Sequence, residues 1–134
     1  MRRSSIGVLL VVALLACNAE QISADPSAFA GDYLLRSING NALPYALANT
    51  ATLTLTETSE TFSLLSSGNF VDITHYQRTQ NGVTDAPADT LMGTFVVRGQ
   101  TINFTDTKGD LFAGTMGTSD FTVEGSSTVF YYSK

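Results

Sequence analysis

The chain has 134 residues, enough for one domain, with 12 Asp and Glu against 7 Lys and Arg and a formal net charge of −5. It carries no basic stripe, and a phosphate backbone would be repelled, so the composition argues against nucleic-acid binding. Charged residues make up only 14% of the chain, and Thr, Ser and Gly are abundant in their place. This balance is typical of an exported β protein whose exposed faces carry hydroxyl groups.

A basic start and an eleven-residue apolar run open the chain. Arg2 and Arg3 precede residues 6–16, which read IGVLLVVALLA and end on a small residue just before Cys17. Eleven helical residues rise about 16 Å, against roughly 30 Å for the hydrocarbon core of a bilayer. The pattern therefore predicts a signal peptide helix over residues 1–16 and not a membrane span.

The end of this segment, Leu14-Leu15-Ala16-Cys17, resembles the lipobox of bacterial lipoproteins. In that family, signal peptidase II cuts before the cysteine, whose sulfur carries diacylglycerol and whose new amino terminus is usually acylated. The resemblance implies lipidation of Cys17 and a stable membrane anchor, because two lipid signals anchor a protein stably whereas a single one gives only marginal membrane binding. Asn18 stands where inner-membrane lipoproteins of enteric bacteria often carry Asp, which implies the outer membrane, facing the periplasm. The alternative is an ordinary secretory signal peptide, in which Cys17 has no role in lipidation.

Residues 17–28 are polar, contain Pro26 and show no hydrophobic period. They predict a flexible tether between the lipidated cysteine and a single folded domain over residues 29–134. Because Cys17 is the only cysteine, its lipidation would leave no thiol for a disulfide or a zinc site.

Alternation with a period of two runs through residues 29–134 and predicts eight or nine short strands. These strands cover residues 33–38, 50–56, 61–66, 70–79, 90–98, 101–104, 111–116, 121–123 and 128–133. Residues 39–49 are the only stretch for which a helical turn or a lid-like loop is expected.

The connections between these strands are short, which favours consecutive antiparallel hairpins. We therefore predict an all-β fold, a single up-and-down meander of about eight strands that closes into a small barrel and so removes its exposed edges. A two-sheet β-sandwich is the alternative, because its sequence alternation looks the same.

Two short motifs resemble the lipocalin family. Gly31-Asp32-Tyr33, at the head of the first strand, is similar to the Gly-x-Trp signature, and Thr105-Asp106 is similar to the Thr-Asp pair of the second motif. The resemblance implies a lipocalin-like or related calycin barrel, but it does not identify a ligand. Residues 33–44 and the aromatic ending at 129–132 are also similar to small bacterial lipoproteins of unknown function.

Catalytic and metal-binding patterns are not found in the sequence. His75 is the only histidine, and no carboxylate lies at ligand spacing on its strand face, so no metal site is predicted. There is no Gly-x-Ser-x-Gly elbow, and the presence of a single histidine argues against a Ser-His-Asp triad. We expect a protein that is not an enzyme and that uses no cofactor.

One face of the strand at residues 70–79 is polar. Its members are Asp72, Thr74, Tyr76 and Arg78. Because Val71, Ile73 and His75 share the opposite parity and are expected to point inward, we expect the polar face to meet water. The alternative is a polar patch inside a barrel cavity.

The candidate contact residues are Leu43, Tyr45 and Leu47, which form one apolar loop with Pro44, together with Tyr76 and His75. Two functions follow. In the first, a membrane-anchored barrel binds a small apolar or amphiphilic ligand, with the apolar loop at its mouth. In the second, eight Phe and five Tyr fill the interior, and the protein is an envelope structural, interaction or inhibitor protein that presents a solid scaffold to a protein partner.

Overall fold

The structure, a computed structural model, describes residues 22–134, so the predicted signal peptide and Cys17 lie outside the described residues. It contains a 3-10 helix, Pro26–Ala28, and eleven strands. The strands are β1 (Gly31–Ile38), β2 (Asn41–Ala42), β3 (Tyr45–Asn49), β4 (Leu53–Leu64), β5 (Asn69–Gln80), β6 (Val83–Asp85), β7 (Ala88–Arg98), β8 (Thr101–Asp106), β9 (Leu111–Met116), β10 (Asp120–Glu124) and β11 (Val129–Ser133). Across residues 22–134, no helix is long and apolar enough to cross a membrane.

Eight of the strands close into an antiparallel barrel. Around the barrel the order is β1, β4, β5, β7, β8, β9, β10 and β11, and β11 pairs with β1. In the β1–β4 pair, Gly31 lies opposite Leu64 and Leu34 opposite Thr61. The predicted all-β, up-and-down barrel of about eight strands is confirmed, and the closing ladder excludes the two-sheet sandwich.

The three short strands β2, β3 and β6 extend the sheet at one end of the barrel. β2 pairs with the end of β1, β3 with the first half of β4, and β6 with the end of β5. The prediction of a helical turn or a lid-like loop over residues 39–49 is wrong, because β2 and β3 satisfy their backbone groups in sheet ladders. The two strands predicted at 50–56 and 61–66 are one continuous strand, β4.

A β-bulge in the middle of β4 decides which of its side chains face inward. The register against β5 shifts between Glu57 and Ser59, so Thr58 is the extra residue. An extra residue reverses the phase of the alternation. Glu57 and Glu60, which an unbroken strand would place on opposite faces, therefore both face the barrel interior and are buried.

Aromatic rings fill one half of the interior. The ring of Phe62 lies at the centre, with centroid distances of 5.1 Å to Phe70, 5.0 Å to Phe104, 5.3 Å to Phe121 and 5.5 Å to Tyr132. Stacked, tilted and edge-to-face pairs of this kind stabilise a core beyond the area that they bury. This half of the barrel is therefore packed solid.

Tyr33 closes the solid end of the barrel. Its side chain is fully buried, and its hydroxyl donates to the Phe29 carbonyl oxygen at 2.8 Å. The Lys134 ammonium lies 4.9 Å from the centre of the Tyr33 ring and donates to the Ala30 carbonyl oxygen at 3.0 Å. The cation over the ring and the bond beside it hold the C-terminal lysine across the barrel's end.

The chain enters the barrel at this same closed end. The Ala24 N–H donates to the Val97 carbonyl oxygen at 2.8 Å, and the Asp25 carboxylate caps the 3-10 helix by accepting from the Ser27 N–H at 2.9 Å. Residues 24–28, which the sequence assigns to the flexible tether, are thus attached to the barrel. The opposite end, where β4 begins and β5 ends, is the open one.

Candidate functional site: a cavity with three buried carboxylates

The open half of the barrel contains a cavity of about 390 Å³. Its apolar wall consists of Leu47, Leu91, Phe112, Val123 and Phe130, and the aromatic core around Phe62 lies beneath it. Its polar lining includes Glu57, Glu60, Asp72, Thr74, Tyr76 and Tyr132. A cavity of this size lies near the lower end of the range for small-molecule sites.

Three carboxylates lie on the adjoining strands β4 and β5 and face this cavity. Only 3% of the surface of Glu57, 5% of Glu60 and 9% of Asp72 is exposed. Acidic side chains are almost never buried to this degree without a partner. Among the residues that line the cavity within the described part of the chain there is no Lys, Arg or His. The carboxylates therefore give the cavity an uncompensated acidic character.

Only part of this carboxylate cluster is satisfied by hydrogen bonds. The Tyr132 hydroxyl donates to Oε1 of Glu60 at 2.5 Å. Oε1 of Glu57 and Oδ1 of Asp72 are buried and have no hydrogen-bond partner among the described residues. A buried polar atom left without a partner costs about 1–3 kcal/mol. The two oxygens therefore mark the part of the cavity that lacks a donor.

Burial also changes the protonation of the cluster. It raises the pKa of Glu57 to about 8, and a hydrogen bond to Glu60 and the charge of Glu60 add to this increase. Burial raises the pKa of Glu60 to about 7, although the hydrogen bond with Glu57 opposes it. Burial raises the pKa of Asp72 to about 7 as well. The three groups titrate together, so near neutral pH they share protons.

The five candidate residues from the sequence are not brought together. Tyr76 and Leu47 line the cavity, Tyr76 half-buried and Leu47 exposed at the mouth. Leu43 and Tyr45 are half-buried and pack against the core, away from the cavity lining. His75 is exposed on the outer face of the barrel.

The prediction that the polar face of β5 meets water is wrong for its central residues. Asp72 and Thr74 are buried in the barrel, while Ile73 and His75 of the opposite parity are exposed. A signal was present in the sequence: Phe70 has the same parity as Asp72, and a large aromatic ring is the stronger indicator of an inward face. Toward the end of the strand the same face leaves the cavity, where Arg78 forms an ion pair with Asp85.

Glu57 and Glu60 were not identified from the sequence. They are three positions apart, a spacing that puts two residues on opposite faces of a regular strand. Only the bulge at Thr58 brings both inward, and no residue type in this stretch signals a bulge.

The carboxylates do not form a metal site. Within residues 22–134, no group of three or more His, Cys, Asp and Glu side chains is arranged to hold a metal ion. The cavity combines an apolar wall with buried acceptor atoms, so its chemistry is suited to binding an amphiphilic molecule through the polar end of that molecule.

Comparison with protein-family models, with curated proteins and with solved structures finds no match to this chain. The cavity is therefore interpreted from its own geometry and electrostatics.

Proposed function

We propose that this protein is a membrane-anchored envelope lipoprotein whose lipocalin-like barrel binds a small amphiphilic ligand. The observation that carries the proposal is the asymmetry of the interior, which is packed solid around Phe62 at one end and hollow at the other. A wall of apolar side chains with a few convergent polar groups is the usual lining of a small-molecule site. A solid scaffold for a protein partner, the alternative, does not account for a cavity of about 390 Å³.

The anchor would set the direction in which the cavity opens. The lipobox-like end of residues 14–17 supports lipidation of Cys17. Since Ala24 is already bonded to the barrel, six residues separate it from Cys17, and the seven Cα–Cα steps between them reach about 25 Å at most. The chain enters at the closed end, so the mouth would lie on the side of the barrel away from the membrane. The ligand would then arrive from the aqueous periplasm and not from the bilayer.

The binding proposal predicts uptake of a neutral amphiphilic probe. We expect the purified protein to bind 1-naphthylamine, which is neutral near pH 7, with increased fluorescence and a stoichiometry of one. Leu91→Trp, which adds bulk to the half-buried cavity wall, should weaken this binding at least tenfold. The matched control is Leu111→Trp, because Leu111 is 78% exposed outside the cavity. Absence of uptake, or uptake that Leu91→Trp leaves unchanged, would refute the proposed binding site.

The anchor is tested separately. Cys17→Ser should move the protein from the membrane fraction to the soluble fraction of expressing cells and abolish incorporation of labelled palmitate, because no other cysteine can take the lipid. Asn18→Gln, which keeps the cysteine, should stay in the membrane fraction. Retention of the Cys17→Ser protein in membranes would contradict the lipoprotein assignment.

A further inference from the structure

We propose that the ligand is an organic cation, a protonated amine on a short apolar group, whose ammonium is bound by Glu57, Glu60 and Asp72. This inference rests on the proposed function and adds to it the charge and chemical class of the ligand.

The first argument is the set of unpartnered acceptors. Oε1 of Glu57 and Oδ1 of Asp72 are buried, line the cavity and have no donor among the described residues. A primary ammonium carries three N–H donors and no acceptor. It can therefore satisfy both orphaned oxygens and still donate to Glu60, in charge-assisted hydrogen bonds that are stronger than neutral ones.

The second argument is the sign of the charge around the cavity. Besides the three buried carboxylates, Glu124 lines the mouth and Asp89 lies close enough to raise the pKa of Tyr76. The lining within residues 22–134 has no cationic side chain to balance them. A fatty acid or another anion would find no counter-charge there and would be repelled by each carboxylate that is ionised, whereas a cation supplies the missing counter-charge.

The third argument is the apolar wall, which limits the size and type of the cation. Phe112 and Phe130 are half-buried and present ring surface to the cavity. The volume of about 390 Å³ equals that of about a dozen water molecules, so an amine of about a dozen non-hydrogen atoms fits. The apolar part of such a molecule would replace water along the wall while its ammonium reaches the carboxylates.

A metal ion fits this lining less well. In the described part of the chain, the acidic side chains are not arranged as metal ligands. A hard cation would also keep several waters, which the apolar wall could not hydrogen-bond. An organic cation uses both the acidic and the apolar parts of the cavity.

Proton release should accompany binding. Because the pKa of Glu57 is about 8 and those of Glu60 and Asp72 are about 7, the empty cluster holds protons at neutral pH. Tyr132 and Tyr76 also face the cluster, but burial raises the pKa of each above its usual value, so both stay neutral phenols. An arriving ammonium competes with the protons, so affinity should rise between pH 5.5 and 8.

The test uses calorimetry with three indoles of matched shape and different charge. At pH 8 we expect the purified protein to bind tryptamine at least tenfold more tightly than the neutral tryptophol, and not to bind indole-3-propionate. The affinity for tryptamine should fall at least tenfold at pH 5.5, although its amine stays protonated throughout. Titrations in buffers of different ionisation enthalpy should show proton release at pH 7.

Charge-removing variants assign the effect to the carboxylates. Glu57→Gln and Asp72→Asn should each weaken tryptamine binding about tenfold or more and leave tryptophol binding within about threefold, since the size of the cavity is kept. Asp110→Asn, which removes an exposed charge outside the cavity, should change neither. A thermal melt of each variant shows whether it is folded.

The outcomes separate this inference from the proposed function. Equal binding of tryptamine and tryptophol, or uptake of 1-naphthylamine without any binding of tryptamine, overturns the organic cation and leaves the binding function standing. Displacement of tryptamine by micromolar Ca²⁺ also overturns it, in favour of a metal. Failure of all three indoles and of the naphthylamine probe overturns both.

Discussion

Replacement of Tyr33 by Ala should lower the free energy of unfolding by about 3–5 kcal/mol, the usual cost of truncating a fully buried aromatic side chain. The Tyr33 ring packs against Phe121 in an edge-to-face arrangement with a centroid distance of 5.0 Å, and the Lys134 ammonium lies over the Tyr33 ring. Its removal leaves a cavity at the closed end, where rigid strands cannot collapse to fill it. Urea denaturation at 25 °C, followed by circular dichroism, measures the loss.

Two matched variants separate the ring from its hydroxyl and from a surface effect. Tyr33→Phe keeps the ring and loses the bond to the Phe29 carbonyl, so it should cost only about 1 kcal/mol. Tyr131→Ala removes a ring that is 37% exposed on the outer face and should cost less than Tyr33→Ala. A Tyr33→Ala protein as stable as the wild type would show that the closed end does not depend on this ring.

The barrel was predictable because its determinants are local and repeated. The strands β7, β8 and β10 show a period of two, and turns such as Gly99-Gln100 separate neighbouring strands by only a few residues. Short connections permit only neighbouring antiparallel pairs, so chain order becomes strand order. Closure follows because an open meander of this length would expose two edges.

The carboxylate cluster was not predictable from the sequence. It depends on a β-bulge that shifts the alternation of side chains in β4, and on which face of β5 points into the barrel. Period-two alternation says that two faces differ but not which one is inside, and β5 carries apolar residues on both, Phe70 on one and Ile73 on the other. In β4 the bulge at Thr58 resets the alternation, and only the register against β5 shows it. The sequence therefore predicted the scaffold, whereas the site depends on tertiary geometry.

The contacts at the closed end of the barrel could not be predicted from the sequence either. The contact of Lys134 with the Tyr33 ring joins residues a hundred positions apart, and it exists because β11 ends beside the start of β1. Strand order was predictable, but the exact ends of two neighbouring strands were not, and such contacts depend on those ends.

The ligand-free protein should lose stability as the pH rises from about 4.5 to about 8, the reverse of the usual dependence of an acidic domain on pH. Glu57, Glu60 and Asp72 have raised pKa values in the folded chain and ordinary ones when unfolded. Between these values the folded state binds more protons, so the free energy of unfolding falls with rising pH and levels off above the folded pKa values. A shift of about three pH units in one such group corresponds to about 4 kcal/mol, so the total loss should be at least of this order.

The other groups with shifted pKa values that lie near the cavity or in ion pairs affect stability outside this pH window. The pKa of Asp85 is lowered by its hydrogen bond to Arg78, and that of Asp25 by the Ser27 amide, so both matter only in more acidic solution. Tyr76 and Tyr132, which face the carboxylates, have raised pKa values and affect stability only in strongly alkaline solution. The decline between pH 4.5 and 8 therefore reports the cluster itself.

Glu57→Gln provides the decisive comparison, because it replaces a carboxyl that is protonated at neutral pH by a neutral group of similar shape. It should flatten the pH profile and make the protein more stable than the wild type at pH 8.5, by roughly 2 kcal/mol, since a buried charge no longer has to form. Asp110→Asn should keep the wild-type slope. Denaturation midpoints at pH 4.5, 6, 7 and 8.5 measure the effect. A wild-type profile that rises through this range would mean that the three carboxylates ionise freely, and that the cavity holds no buried charge for a cation to neutralise.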